Sequence, residues 1–285
     1  MEFMQMEQAN SLTIFGGSGF IGNRFFQRHS DATIQGRNDL VPSTNKIISF
    51  ISTVDNYGIY TNPYLDIETN LTLLVRILEK AKEKFGNDFT FTFASSWFVY
   101  GASNSVATET SPCNPTGFYS STKLCAERLL TSYCQTFGIQ YKILRFSNVI
   151  GVGDKKASLQ KNAFQYLAQE IIQSRDVSIY KDPSFRSFID VDDLVGAIDL
   201  CISDTKWNEI YNIGSETSCN VKKLLYYVYK KSKSKSRITE KDVPDFHKIV
   251  QVKNFRMDIS KLKGLGYCPK FTIRNTIDRL IEYYQ

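Results

Sequence analysis

The sequence predicts an α/β fold built on a doubly wound, mostly parallel sheet. Three observations predict it. Short β-branched or aromatic runs alternate with amphipathic helical stretches through the first half of the chain. A glycine cluster, Gly16-Gly17-Ser18-Gly19-Phe20-Ile21-Gly22, lies between the first such run and the first helical stretch. The chain, at 285 residues, is long enough to bury a sizeable core. Alternation of this kind implies parallel strands joined by crossover helices, with helices on both faces of the sheet.

Taken in order, residues 11–15 read as the first strand and 21–29 as the first helix. Residues 33–35 and 46–52 read as strands, and 65–85 as a long helix. The TFTFA run over 90–94 reads as a strand, 118–137 as a helix and 141–146 as a strand. The second half is mixed. Helices are expected over 161–174, 191–201, 221–231 and 273–284, and extended chain over 177–180 and 209–213.

Composition narrows the function classes. Hydrophobic residues at 42% against 22% charged describe a folded chain and not a disordered one. The 35 Lys and Arg exceed the 29 Asp and Glu by six. The densest basic run, KKSKSKSR over 230–237, reads as a solvated loop, and no base-reading motif accompanies it, so no nucleic-acid partner is expected. A mild positive excess suits a small anionic ligand. Six cysteines without CxxC spacing, beside only two histidines, make a metal site an unexpected reading and fit thiols in a reducing compartment. The first ten residues read as a loose tail without a signal peptide's apolar region, and no apolar run is long enough for a bilayer. The expectation is a cytoplasmic protein with no membrane partner.

The glycine cluster carries the first chemical signal. Glycine permits a tight turn, and a missing side chain lets the backbone approach a pyrophosphate. A helix N-terminus offers free N–H groups and a positive dipole end to the phosphates. Residues 11–150 are therefore expected to form a dinucleotide-binding, Rossmann-type domain. Residues 151–285 form a smaller mixed α/β substrate lobe, from which a segment near 186–213 returns to the first domain. An NAD site would place a carboxylate after the second strand. Here the chain reads Thr33-Ile34-Gln35-Gly36-Arg37-Asn38, and Arg37 stands where a guanidinium can grip a 2′-phosphate, so NADP is expected, with NAD open.

The second signal is a set of three residues. Tyr119 and Lys123 are four apart at the start of an expected helix, on one face. A phenol titrating near ~10 is a poor base at neutral pH, and a nearby ammonium favours its phenolate. Tyr119 can then exchange a proton with a hydroxyl or ketone. Ser95 and Ser96 end the TFTFA strand, where a hydroxyl can donate to the oxygen of the reacting carbon.

With these motifs the chain resembles the extended short-chain dehydrogenase/reductase family, in its nucleotide-sugar epimerase/dehydratase branch. The resemblance runs from Leu12 to Tyr284 through GGSGFIG, SSWFVYG, YSSTK, RFSNVIG, RSFIDVDDL, YNIGS and DISKLKGLGY. It implies that Ser96 is the catalytic hydroxyl, which also touches substrate, with Ser95 its structural neighbour. It implies that Tyr119 is the acid/base and that Lys123 tunes it and holds the cofactor ribose. Gly16, Gly19, Phe20, Ile21 and Gly22, with Phe50, Ile51 and Ser52 at the end of the third strand, would line the cofactor. Asn70 would sit near its nicotinamide end. Asn148 would contact the sugar nucleotide, Arg186 would hold its diphosphate, and Arg256 is a looser second phosphate ligand. Asp192 and Asp193 read as helix N-terminal carboxylates. A homodimer is expected through the helices over 65–85 and 118–137. Leu71, Leu74, Leu78, Leu124 and Leu129 would supply the contact or face their own sheet.

The chain departs from the family in two places. The stretch between Arg37 and Lys46 leaves no room for the strand and helix usual there. Trp97 and Phe98 replace the acid pair of the dehydratases, so 4,6-dehydration is not expected. Two reactions at C4 of a nucleotide-diphosphate sugar stay open. One is NADPH-dependent 4-keto reduction in deoxysugar synthesis, which the missing acid and Arg37 favour. The other is redox-neutral 4-epimerisation with tightly bound NAD. A reading of another class, a non-catalytic NADP-binding module, leaves the Ser96/Tyr119/Lys123 set without a purpose.

Overall fold

The computed structural model describes residues 11–54, 57–102 and 106–285. The expected N-terminal tail lies outside them. The chain runs β1 (Thr13–Phe15), α1 (Phe20–Arg28), β2 (Thr33–Gln35), β3 (Lys46–Ser49), α2 (Pro63–Ile67), α3 (Leu73–Phe85), β4 (Thr90–Ser96), α4 (Phe118–Phe137), β5 (Gln140–Phe146) and β6 (Asn148–Ile150). It continues through α5 (Ala163–Ile172), β7 (Val177–Tyr180), β8 (Phe185–Asp190), α6 (Val191–Ser203), β9 (Glu209–Ile213), β10 (Ser218–Asn220) and α7 (Val221–Lys231). It closes with β11 (Ile238–Lys241), α8 (Asp245–Val250), α9 (Ser260–Lys263) and α10 (Ile273–Tyr284).

Six parallel strands form the main sheet in the order β2-β1-β3-β4-β5-β9. This is the expected doubly wound, Rossmann-type arrangement. Successive residues on a strand point to opposite faces, and both faces are apolar here. Ile14, Ile48 and Leu144 enter one core, which α1 and α6 cover with Phe25, Leu194 and Ile198. Their chain neighbours Phe15, Ile47 and Ile143 enter a second core with Leu74, Leu78 and Leu130 from α3 and α4. A sheet covered on both faces needs continuous apolar runs, which is what these strands contain. β4 and β5 pair over their full length, from Thr90 opposite Gln140 to Ser96 opposite Phe146. That register carries Ser96 to the carboxyl edge of the sheet.

Several expectations are corrected. The third strand leaves the sheet at Ser49, because the chain after it must turn across Gly16. The long helix starts at Pro63 and contains a π-helical turn over Glu68–Thr72. β2 is an edge strand with Thr33 and Ile34 exposed, since no strand follows it on that side. FRSFID, not expected to be extended, forms β8, between β6 and β10 in a three-stranded sheet. β7 and β11 pair in parallel. These elements, with α5, α7 and α10, enclose a third core of Ile150, Phe164, Ile171, Phe188, Leu225 and Leu280.

The basic run is more ordered than a solvated loop. Ser232, Ser234 and Ser236 are buried between exposed lysines, and the Ser236 hydroxyl bonds the Ile171 carbonyl at 3.4 Å. Of the five leucines considered for a dimer contact, Leu74 and Leu78 are buried under their own sheet. Leu71 and Leu124 pack partly against the cores, and Leu129 alone of the five is exposed. The acids of RSFIDVDDL are structural. Asp190 caps α6 by accepting from the Asp192 N–H at 2.8 Å, Asp192 pairs with Arg24 and Arg279, and Asp193 accepts from the Lys270 and Phe271 N–H groups. Among the described residues no helix is long and apolar enough to cross a membrane.

Beneath the carboxyl edge lies a buried ion pair. Glu127 of α4 accepts two hydrogen bonds from Arg145 of β5, at 3.1 and 2.7 Å, and one from the Ser95 hydroxyl at 2.5 Å. Arg145 also lies over the Tyr100 ring, whose hydroxyl donates to Asn212 at 2.6 Å. Removing one partner strands a buried charge. Glu127→Ala is expected to lower unfolding free energy by about 3–5 kcal/mol in urea titration, with Glu127→Gln costing less. A loss below about 1 kcal/mol for Glu127→Ala would show that the pair does not hold α4 to the sheet.

Candidate active site

The strand order reverses between β1 and β3, so a crevice opens at their carboxyl ends. The glycine turn occupies it. Gly16 has φ +78°, and a Cβ there would lie 2.9 Å from the Ile51 nitrogen and from the Phe50 carbonyl carbon. A Cβ on Gly22 would sit 2.3 Å from the Gly16 carbonyl oxygen, so α1 packs directly on the turn. Gly19 is exposed, and its Cβ would meet nothing closer than 3.4 Å. No side chain caps α1 at this end. The first N–H groups of a nine-residue helix therefore have no side-chain cap among the described residues and stand beside a bare backbone, which fits a pyrophosphate. Phe20 and Ile21 open the helix half-buried, and Phe50, Ile51 and Ser52 run past the turn, with the Phe50 N–H bonded to the Phe15 carbonyl at 2.8 Å. Arg37 is exposed in the short loop after β2. At the end of β2 the Gln35 amide donates to Asp39 at 3.2 Å.

Ser96, Tyr119 and Lys123 all lie near the end of β4: Ser96 ends the strand, Tyr119 stands beside Phe98 and Lys123 reaches Ala94. Ser96 ends β4, and its hydroxyl accepts from the Phe98 N–H at 3.3 Å. Tyr119 stands in the first turn of α4, nearly buried, and the Phe98 ring meets it edge-on at 6.4 Å between centroids. Lys123 is one turn further on. Its ammonium donates to the Ala94 carbonyl at 2.7 Å and lies 4.0 Å from the Phe93 ring centroid. Burial lowers its pKa to about 7, and the Glu127 carboxylate pulls the other way. Asn70 lies in the π-helical turn, buried, and donates to Thr53 after β3 at 2.8 Å and to Thr122 beside Lys123 at 3.0 Å. The wider turn brings its amide to α4; such π-bulges recur at functional sites.

Beyond Phe98 opens a cavity of about 450 Å³ between the sheet's edge and the second lobe. Asn148 and Arg186 line it. The Arg186 guanidinium donates to the Phe185 and Lys253 carbonyls at 3.1 and 3.2 Å and lies 5.4 Å from the Trp97 ring centroid. Burial lowers its pKa to about 10, and no carboxylate among the described residues contributes to its charge state. It stays cationic at neutral pH, buried and without an anionic partner. Arg256 is placed elsewhere: its side chain is exposed between buried Phe255 and Met257 and does not line the cavity. His247, outside every sequence motif, does line it, with Nε2 3.4 Å from the Tyr180 hydroxyl and Nδ1 2.7 Å from the Gln251 amide. Burial lowers its pKa.

The family model described as "NAD dependent epimerase/dehydratase family" matches residues 47–214. This chain belongs to that family. An uncharacterised UDP-glucose epimerase of Bacillus subtilis (strain 168) is 30% identical over 232 residues, covering 80% of this chain and 69% of the relative. A UDP-glucose 4-epimerase of Thermotoga maritima, solved with UDP-glucose, superposes with a TM-score of 0.85 at 20% identity, covering 96% of this chain and 98% of that one. A Pseudomonas aeruginosa protein solved with NADPH gives 0.83 at 20% identity over 96% and 98%. At such identities the solved structures establish the fold, which is the expected one.

Within this epimerase/dehydratase family member, sequence reasoning gave no role to Glu127, Arg145 or His247. The contacts that matter, Glu127 with Arg145 and His247 with Tyr180, join residues distant in the chain, and no spacing announces them. The buried lysine gives a test. An unfolded lysine keeps its proton up to about 10.5, whereas folded Lys123 loses it near about 7. Over that window the unfolded chain binds more protons, so the Lys123 contribution to stability rises with pH. In urea titrations from about pH 7 to about pH 10, native protein should gain stability relative to Lys123→Met. Parallel pH profiles for the two proteins would contradict a depressed Lys123.

Proposed function

We propose that this chain is an NADPH-dependent reductase acting on the C4 ketone of a nucleotide-diphosphate sugar. The observation that carries it is the placing of Ser96 and Tyr119 against Phe98, whose ring lines a cavity that also holds Arg186, a buried cation that pairs with no carboxylate among the described residues. A guanidinium so placed suits a diphosphate, which it can bind through paired hydrogen bonds. Ser96 and Tyr119 hold the C4 carbonyl oxygen by hydrogen bonds. The nicotinamide supplies hydride to C4 when bound. Tyr119 then gives its phenolic proton to the oxygen, and the Lys123 ammonium steadies the phenolate left behind. Exposed Arg37, with no acid ending β2, supports a 2′-phosphate and hence NADP. Dehydration is not proposed, because Trp97 and Phe98 cannot titrate. A homodimer through α3 and α4 is proposed from exposed Val75 and Leu129.

A second reading is redox-neutral 4-epimerisation with retained NAD, favoured by the names of the relatives. One assay separates the two. Purified protein is mixed with NADPH and a panel of 4-keto-6-deoxy nucleotide sugars, and the reduced nicotinamide absorbance is followed. Loss of absorbance, slowed roughly 10²–10⁴-fold by Tyr119→Phe, is expected. Cofactor that co-purifies with the protein, and turnover of UDP-hexoses without added NADPH, would replace reduction with epimerisation.

A further inference from the structure

We infer that Phe98 selects the substituent at C5 of the sugar, accepting hydrogen or methyl and rejecting hydroxymethyl and carboxylate. This rests on the C4 chemistry proposed above. Phe98 is two residues past Ser96, on a short helical turn that caps on the Ser96 hydroxyl, and its ring touches Tyr119 edge-on. It is also the part of this turn that lines the cavity. An oxygen held by both Ser96 and Tyr119 therefore places its carbon against Phe98.

The two neighbours of C4 are C3 and C5. C3 of a hexose carries a hydroxyl or an amine, which would lose its water against an aromatic ring and gain no partner there. C5 carries the ring oxygen, but its remaining substituent can be hydrogen or methyl, so the C5 side is the one that matches Phe98. The Phe98 ring cannot swing away to admit a larger polar group. It stacks on buried Trp97 at 4.1 Å, and Trp97 is held in turn by Phe255 at 4.3 Å and by the Arg186 guanidinium. Val54, Leu159, Phe164 and Phe188 line the same cavity and offer no hydrogen bond from their side chains. Arg186 is the cation in contact with this stack, and in the proposed complex the diphosphate occupies it; the lysines that also line the cavity are engaged elsewhere, Lys222 by Glu240 and Lys241 by the Tyr180 ring, so a C5 carboxylate against Phe98 would lack a cation.

The test is equilibrium binding by calorimetry, on the full chain with saturating NADP⁺. The ligands are UDP-galactose, its 6-deoxy and 6-carboxylate counterparts, the 4-hydroxyl pentose analogue and UDP alone, with the same series repeated on dTDP. The 6-deoxy and pentose forms are expected to bind at least about tenfold more tightly than the hydroxymethyl form, with no measurable binding of the carboxylate. Phe98→Thr should bring the methyl and hydroxymethyl forms within about threefold, while Phe98→Leu keeps the preference. Equal binding of the methyl and hydroxymethyl sugars by native protein, or an unchanged preference in Phe98→Thr, would overturn the assignment and leave the nucleotide-sugar proposal standing. Failure of every ligand, free UDP and dTDP included, would overturn both.

Discussion

The hydrogen bond from the Lys123 ammonium to the Ala94 carbonyl sets the geometry on which the site depends. It joins the helix that carries Tyr119 to the strand that carries Ser96, at 2.7 Å and from a buried lysine. Burying an ammonium is costly unless it is paired. Three groups offset part of the cost: the carbonyl, the face of Phe93 and the carboxylate of Glu127 one turn below. Glu127 is itself fixed by Arg145 and Ser95, so the charge of Lys123 is supported by a network that runs through the sheet. The Asn70 amide closes the same helix against the loop after β3. A tyrosine at the head of such a helix has little freedom, which is what proton transfer to a fixed oxygen requires.

The sheet determines where this network can act. Its order reverses between β1 and β3, and the glycine turn fills the crevice so tightly that Cβ atoms at Gly16 or Gly22 would strike backbone. Ending the sheet at β2 shortens the wall beyond Arg37. On the far side, β8 carries both Arg186 and Phe188 into the cavity, because alternate residues of a strand share a face. The second lobe thus contributes its cation and part of its apolar wall from one short strand. Trp97 connects the two halves of the site: it follows Ser96 in the chain and lies under Arg186 in space.

Much of this was legible from local pattern. The glycine turn, the strand that ends in Ser96 and the Tyr119–Lys123 spacing each declare themselves within a few residues, because the chemistry demands them at fixed offsets. Strands such as 90–96 and 140–146 were readable because burial on both faces leaves continuous apolar runs. β8 was not, since FRSFID mixes a cation and a serine into its pattern and becomes a strand only by pairing with β6 and β10. The π-helical turn at Asn70 has no compositional mark. Arg256 resembled a phosphate ligand by its place before DIS, yet the burial of its neighbours Phe255 and Met257 turns it outward. His247 reaches the cavity through the packing of α8 against Tyr180, a contact that no spacing announces.

The central claim is that Ser96, Tyr119 and Lys123 hold the C4 oxygen of a nucleotide sugar while a hydride reaches that carbon and stays there. The most direct measurement is to supply NADPH deuterated at the transferring position of its nicotinamide, together with a 4-keto nucleotide sugar, and to locate the deuterium by NMR. Deuterium bound at C4 of the released alcohol, in one stereochemistry and in proportion to the NADPH consumed, is the predicted result. Unlabelled sugar, or label at any other carbon, would contradict it.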